Sequence, residues 1–388
     1  MWHQAIIQSR KQLSPTVTGL TLQIIHQSST PPSSSATSAT TAHSNSSFTF
    51  LPGQWVDFQP HPTTSSFQQQ QPPTNNKNKT IGGYSITSIP NKLPFIDLAI
   101  QSSRHPVAMW VTCHAEVNDL VNLRVGGSFM YDNSENSSID DDATVQKATA
   151  NDITNNDEHN DELMNNKNSS KTKQQQQQRL LFIAGGVGIN PLFSMIQQWY
   201  VDQQKRRREQ SSSSSSRAVL LYSAKQEVDL LFVTELNAMV GRELSDLFRV
   251  VLTTTTTANT APVGVDADNT VLLPQNDSTV GSLNGNSNSR RSNNILFRNG
   301  RVDHDMIKDA VRWINNRMDN DKEVLTDDDE RKQELEDDDI MIADQVYICG
   351  PPGMPEDIQR LLIPSSLQKD TSIRLVRSED DVHYEKWW

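Results

Sequence analysis

The sequence predicts a two-domain chain: an N-terminal antiparallel β-barrel over 1–132, then, past a polar insert at 133–178, a C-terminal doubly wound α/β domain with a parallel sheet over 179–388. Three observations predict it. Up to residue 132, apolar residues alternate in short runs separated by turn signals, with room for one small helix. From residue 179 on, strand-like runs alternate with stretches of helical periodicity, the pattern of parallel strands covered by helices on both faces. Two of those later runs end in glycine turns, Gly185-Gly186-Val187-Gly188 and Gly350-Pro351-Pro352-Gly353.

Not all of the 388 residues belong to these domains. Polar tracts at 29–49, 63–80, 133–178, 210–216, 257–294 and 318–339 hold 152 residues and leave 236 for compact structure. Tracts this poor in apolar side chains cannot offset the entropy of ordering, so they are expected to be long disordered inserts. They also carry the acidity. The net charge is −12, of which 318–339 contributes −9 and 133–178 contributes −5. The remainder is near neutral, which argues against a nucleic-acid surface. Two cysteines, Cys113 and Cys349, are too few for a disulfide framework and fit a reducing compartment. With no apolar run near ~20 residues and no secretory core at Met1–Ile7, the expectation is an intracellular protein, cytoplasmic or mitochondrial, without a membrane span.

Within the barrel, Gln4–Ser9 and Val17–His26 read as the first two strands, the second through Val17, Leu20, Leu22 and Ile24. Pro52-Gly53 is a turn signal ahead of the alternating Gln54-Trp55-Val56-Asp57-Phe58. Tyr84–Ser88, Phe95–Gln101 and Leu120–Val125 follow, and Pro106–Cys113 reads as the one short helix with proline at its first position.

In the second half, strand 179–184 leads to a helix at 191–204, with Asn190 as N-cap and Pro191 as first helical residue. Strand Ala218–Ser223, a helix near 229–241 and strand Phe248–Thr253 come next. Helix 303–317 carries Met306, Ile307, Ala310, Val311 and Ile314 at helical spacing. Strand 345–349, helix 355–363 and a last strand at 373–377 complete the domain.

The glycine turns carry the chemistry. A strand that ends in a tight turn and feeds a helix aims backbone N–H groups and a helix dipole at a phosphate. Such turns also cap helices for purely structural reasons, so either one alone is weak; two on neighbouring central strands point to a nucleotide. Cys349, at the second strand end, reads either as a group facing a bound ring or as a small buried residue. Gly82-Gly83-Tyr84-Ser85-Ile86 offers an aromatic face and a hydroxyl, and spacing alone favours a barrel-wall tyrosine. Trp387-Trp388 either stacks on a planar cofactor or plugs an apolar edge. Lys205-Arg206-Arg207-Arg208 reads as a solvated helix end, and the nine histidines show no metal-ligand spacing.

Taken in order, these motifs resemble the ferredoxin–NADP reductase superfamily, whose members pair a flavin-binding β-barrel with a pyridine-nucleotide domain. The likeness runs through Pro52–Phe58, Gly82–Ile86, His105-Pro106, Arg124–Phe129, Ile183–Leu192, Leu221–Lys225, Gly300-Arg301-Val302, Tyr347–Met354 and Tyr384–Trp388. The resemblance implies NAD(P)H as cofactor, with FAD as its flavin partner. It puts Tyr84, Ser85 and Ile86 against the flavin. It assigns Gly186, Val187, Gly188, Ile189, Asn190 and Pro191 to the nucleotide's pyrophosphate, and Arg301 to the nucleotide as well. Cys349, Gly350, Pro351, Pro352 and Met354 border the nicotinamide, and Trp387 or Trp388 stacks over the flavin. Ser85, Cys349 and Trp388 are the catalytic candidates. One departure bears on the flavin: Gly82 stands where the superfamily has an arginine for the flavin phosphate. The implied activity is hydride transfer from NAD(P)H to flavin and on to an acceptor, protein or small molecule, that the sequence does not name. The alternative is a non-catalytic NAD(P)-binding or interaction protein on the same scaffold.

Overall fold

The computed structural model describes residues 1–25, 47–61, 81–131, 178–209, 215–241, 244–256, 295–315, 342–363 and 375–385. The tracts at 63–80, 257–294 and 318–339 lie outside these residues, as do nearly all of 29–49, 133–178 and 210–216. The tract edges do not. Phe48 is buried in the barrel core, and Ser216, 1% exposed, accepts the Gln178 backbone N–H on its hydroxyl.

The N-terminal sheet has six antiparallel strands: β1 (His3–Ser14), β2 (Val17–Ile25), β3 (Trp55–Pro60), β4 (Gly82–Ser85), β5 (Phe95–Gln101) and β6 (Leu120–Gly126), in the order β4-β3-β6-β1-β2-β5. The edges meet where Ile86 bridges Leu98, which closes the sheet into a barrel. Alternation sets the inner face, so Val56, Phe58, Leu98, Val121 and Leu123 fill the core. Helix α1 (Pro106–Cys113) plugs it with the fully buried Trp110.

The C-terminal sheet has six parallel strands: β7 (Arg179–Gly185), β8 (Arg217–Ala224), β9 (Phe248–Thr254), β10 (Ile295–Asn299), β11 (Gln345–Cys349) and β12 (Val382–Glu385). Their order is β10-β9-β8-β7-β11-β12. The chain therefore builds outward from β7 on one side, then returns to build on the other. Helices α2 (Ile189–Arg208) and α3 (Val233–Val240) cover one face, and α4 (His304–Asn315) and α5 (Met354–Leu362) cover the other. The α2 face is shared with the barrel: Val17, Ala99, Phe129 and Tyr131 belong to the same core as Phe182, Trp199 and Tyr347. The Tyr347 ring lies 6.0 Å from Phe129 and 5.4 Å from Phe182.

Three expectations need correction. Strand β10 occupies Ile295–Asn299, a run just past the Thr/Asn/Ser tract to which the sequence reading gives no element; it exists by pairing in parallel with β9. The last strand is β12, Val382–Glu385, whereas Val376 makes only an isolated bridge to Ala343. Helix α2 begins two residues early, with Gly188 as N-cap and no side-chain cap. Asn190 sits inside its first turn with its side chain turned to the barrel, where its Nδ2 donates to the Ala99 carbonyl of β5 at 2.8 Å.

Candidate nucleotide site

The strand order reverses between β7 and β11, which pair in parallel from Leu180–Gln345 to Ala184–Cys349. At such a reversal the loops past the carboxyl ends lead to opposite faces and leave a crevice, where open α/β sheets bind ligands. Both glycine turns lie there. β7 ends in the tight winding Gly186–Gly188 and then α2; β11 ends in Gly350–Gly353 and then α5. The two turns touch through backbone. A Cβ on Gly188 would stand 2.2 Å from the Cys349 carbonyl oxygen and 2.7 Å from the Gly350 nitrogen. A Cβ on Gly350 would meet the Met354 Sδ at 2.3 Å, and one on Gly185 would meet it at 2.5 Å. Met354 thus sits between the turns, and at Gly188, where the neighbour is backbone, only glycine allows the approach.

Three other glycines at this edge have the opposite surroundings. Gly186 after β7, Gly300 after β10 and Gly353 before α5 have φ of +54°, +106° and +83°, and a Cβ on any of them would enter open space. The edge is therefore tight underneath and open above, a backbone cradle of the kind a phosphate-bearing ligand occupies. Pro351 and Pro352 are exposed on its rim, as is Arg301 beyond Gly300. Val187 is half-buried, whereas Ile189 and Pro191 are buried in the start of α2. Asn190 is 5% exposed and turned toward the barrel, and its Oδ1 has no hydrogen-bond partner among the described residues.

Cys349 is 0% exposed and packs in the core shared with the barrel, so its thiol lies beneath the crevice floor. Beside it, in register on β12, is Glu385. Burial pushes the Glu385 carboxyl up to about 7, and its Oε2 has no hydrogen-bond partner among the described residues. Sequence reasoning missed this residue. The alternation Val382-His383-Tyr384-Glu385 was the available signal, since it places His383 and Glu385 on the face of Tyr347 and Cys349. His383 stacks on Tyr347 at 5.0 Å, and burial lowers its pKa.

On the barrel, Ser85 closes β4 and is buried, and Ile86 lies in the barrel core at 0% exposed. The Tyr84 ring is half-buried, edge-on to Phe58 at 5.9 Å. It folds across Gly82, where a Cβ would stand 2.5 Å from the tyrosine hydroxyl. Burial raises the Tyr84 pKa, so the hydroxyl stays protonated. Trp387 and Trp388 lie outside the described residues. The barrel is stitched to α2 by three further contacts. The Ser194 hydroxyl donates to the Ser88 carbonyl at 2.6 Å, the Gln197 amide donates to the Thr87 carbonyl at 2.7 Å, and Met195 lies against Gly53. Among the described residues there is no cluster of three or more His, Cys, Asp or Glu able to hold a metal ion, and no helix long and apolar enough to cross a membrane.

Residues 182–268, which begin in β7, match the family described as the oxidoreductase NAD-binding domain. Curated relatives include oxidoreductase NAD-binding domain-containing protein 1 of Danio rerio, 29% identical over 188 residues, which are 48% of this chain and 49% of the relative. The Xenopus tropicalis protein of that name is 30% identical over 158 residues, 40% of this chain and 33% of the relative. The matches thus span half or less of the curated relatives' length. Among solved structures, the Amycolatopsis cytochrome P450 reductase GcoB is similar at TM-score 0.49 and 12% identity, covering 100% of this chain and 69% of that one. The ferredoxin–NADP+ reductase of Plasmodium falciparum is similar at TM-score 0.47 and 12% identity, covering 99% and 95%. The first glycine turn lies inside the segment that is similar to the NAD-binding domain family.

Proposed function

We propose that the chain is an NAD(P)H-dependent flavin oxidoreductase. The observation that supports this best is the reversal of strand order at β7 and β11, with both glycine turns in backbone contact beside it. The residues fit a nicotinamide nucleotide: Gly186, Val187, Gly188, Ile189 and Pro191 form the pyrophosphate turn, and the α2 dipole favours its charge. Asn190 holds α2 to the barrel from within that turn. Gly350, Pro351 and Pro352 border the nicotinamide, Met354 holds their turn against the first, and Arg301 reaches the nucleotide from beyond β10. Cys349 and Glu385 lie at the strand ends under the ring. A carboxyl that titrates near neutral pH can hold or release a proton there. A flavin, where bound, supplies the electron-carrying chemistry, and the chain's part is to align the rings and exclude water.

For FAD the fit is partial. Ser85 offers a hydroxyl at the end of β4, Trp387 or Trp388 is the candidate for stacking, and Ile86 serves the site from the barrel core. Gly82 leaves the flavin phosphate one cation short, a contact of about 1.5–3 kcal/mol where present. Tyr84, folded over Gly82 and against Phe58, favours a second reading in which nucleotide binds without turnover.

The test is a visible spectrum of the purified chain with and without added FAD or FMN, followed by NADH oxidation with ferricyanide as acceptor. A yellow, NADH-bleached protein with turnover is expected. A chain that stays colourless and binds NADH without turnover would establish the second reading instead. Comparing rates on NADH and NADPH assigns Lys225, exposed just past β8; equal rates would remove it from any role at a ribose phosphate.

A further inference from the structure

A pocket of about 260 Å³ opens at the β9–β10 edge of the sheet, on the face that α4 covers. Its floor is apolar, made by Val251 of β9, Leu296 of β10, and Met306 and Ala310 of α4. One wall is the Trp313 indole, with the Arg249 and Arg217 guanidiniums 4.9 and 4.4 Å from its ring centre. Arg298 and Arg312 stand at the rim and share a single carboxylate: Asp309 Oδ2 lies 2.9 Å from Arg298 and Oδ1 lies 3.5 Å from Arg312. Two guanidiniums on one carboxylate leave positive charge at the mouth of an apolar slot. Arg298 and Arg312 are also solvent-accessible, at 39% and 46% side-chain exposure. The pocket's lining includes neither a residue of the two glycine turns nor Arg301, so it is distinct from the nucleotide site.

We infer that this pocket binds a small amphiphilic organic anion, a flat or aliphatic apolar body carrying one carboxylate, sulfonate or phosphate. The apolar body buries against Leu296, Met306 and the Trp313 face, while the anionic head takes bidentate donors from Arg298 and Arg312. The inference is independent of the redox reading, because no residue of the pocket belongs to the glycine turns.

Fluorescence titration of the full chain with anilinonaphthalene sulfonate tests it, with saturating NADH present. Saturable single-site binding is expected, at least about tenfold tighter than that of the uncharged N-phenylnaphthylamine and weakened by salt. The double variant Arg298→Gln/Arg312→Gln should bind the sulfonate at least about fivefold more weakly, the scale of losing partly exposed charge contacts. It should bind NADH unchanged. Absence of saturable binding, equal affinity for the uncharged probe, equal affinity in the double variant, or displacement by NADH would each overturn the inference. The uncharged probe and the salt series are read on the unmodified chain, so the test does not depend on how the double variant folds.

Discussion

Gly188 and Gly186 are two residues apart and are glycine for different reasons. At Gly188 a methyl would strike the Cys349 and Gly350 backbone, which cannot swing aside. At Gly186 a methyl meets nothing, and the cost is only the left-handed backbone. Gly188→Ala should therefore destabilise by about 3 kcal/mol and Gly186→Ala by about 1 kcal/mol. Urea unfolding of both variants checks this, and equal costs would show that the turns do not abut. Glu385 makes a pH prediction. Its folded pKa of about 7 lies above the ordinary carboxylate value of 4.5, so the folded state holds this proton more tightly than the unfolded chain. Relative to Glu385→Gln, the native chain should lose stability as pH rises from about 4.5 to about 7, then run parallel above. A constant difference across that range would mean that the carboxyl is solvated. The sequence showed both glycines but not the reason for each, since spacing cannot tell a glycine under a neighbouring strand from one beneath open space.

At the scale of elements, α2 joins the two halves. It starts at the first glycine turn, and its first three turns reach the barrel through Asn190, Ser194 and Gln197. Each of Asn190→Ala and Ser194→Ala leaves a buried carbonyl without its donor and should cost about 1–3 kcal/mol. Arg360→Ala, which removes an exposed pair with Asp357, should change stability by less than about 0.5 kcal/mol. Denaturant midpoints that failed to separate these variants would remove α2 as the tie. Periodicity made α2 legible, yet its proline and asparagine suggested a start two residues late. The local capping rule lost to a tertiary contact, because the Asn190 side chain is turned to the barrel, where its Nδ2 donates to a buried strand carbonyl. Strands β10 and β12 were missed for a related reason: five and four residues carry little periodic signal, and each exists because a neighbouring strand pairs with it.

For the whole molecule, the two-domain plan was legible because it follows from switching between two periodicities, of about 2 and about 3.6 residues. The polar tracts interrupt the sequence without disturbing either pattern. The crevice was legible because two glycine turns after buried runs imply neighbouring strand ends, and β7 and β11 do pair. The tilt of Tyr84 over Gly82 and the carboxyl of Glu385 beside Cys349 were not, since both arise from side chains packing across strands. The central claim is that a nicotinamide nucleotide lies across the carboxyl ends of β7 and β11. Calorimetric titration of NADH and NADPH into the native chain and into Gly186→Ala tests it most directly, because that methyl points into the open cradle while costing little stability. The account predicts one site on the native chain and at least tenfold weaker binding to the variant. No binding of either nucleotide to the native chain, or equal affinity in Gly186→Ala, would contradict it.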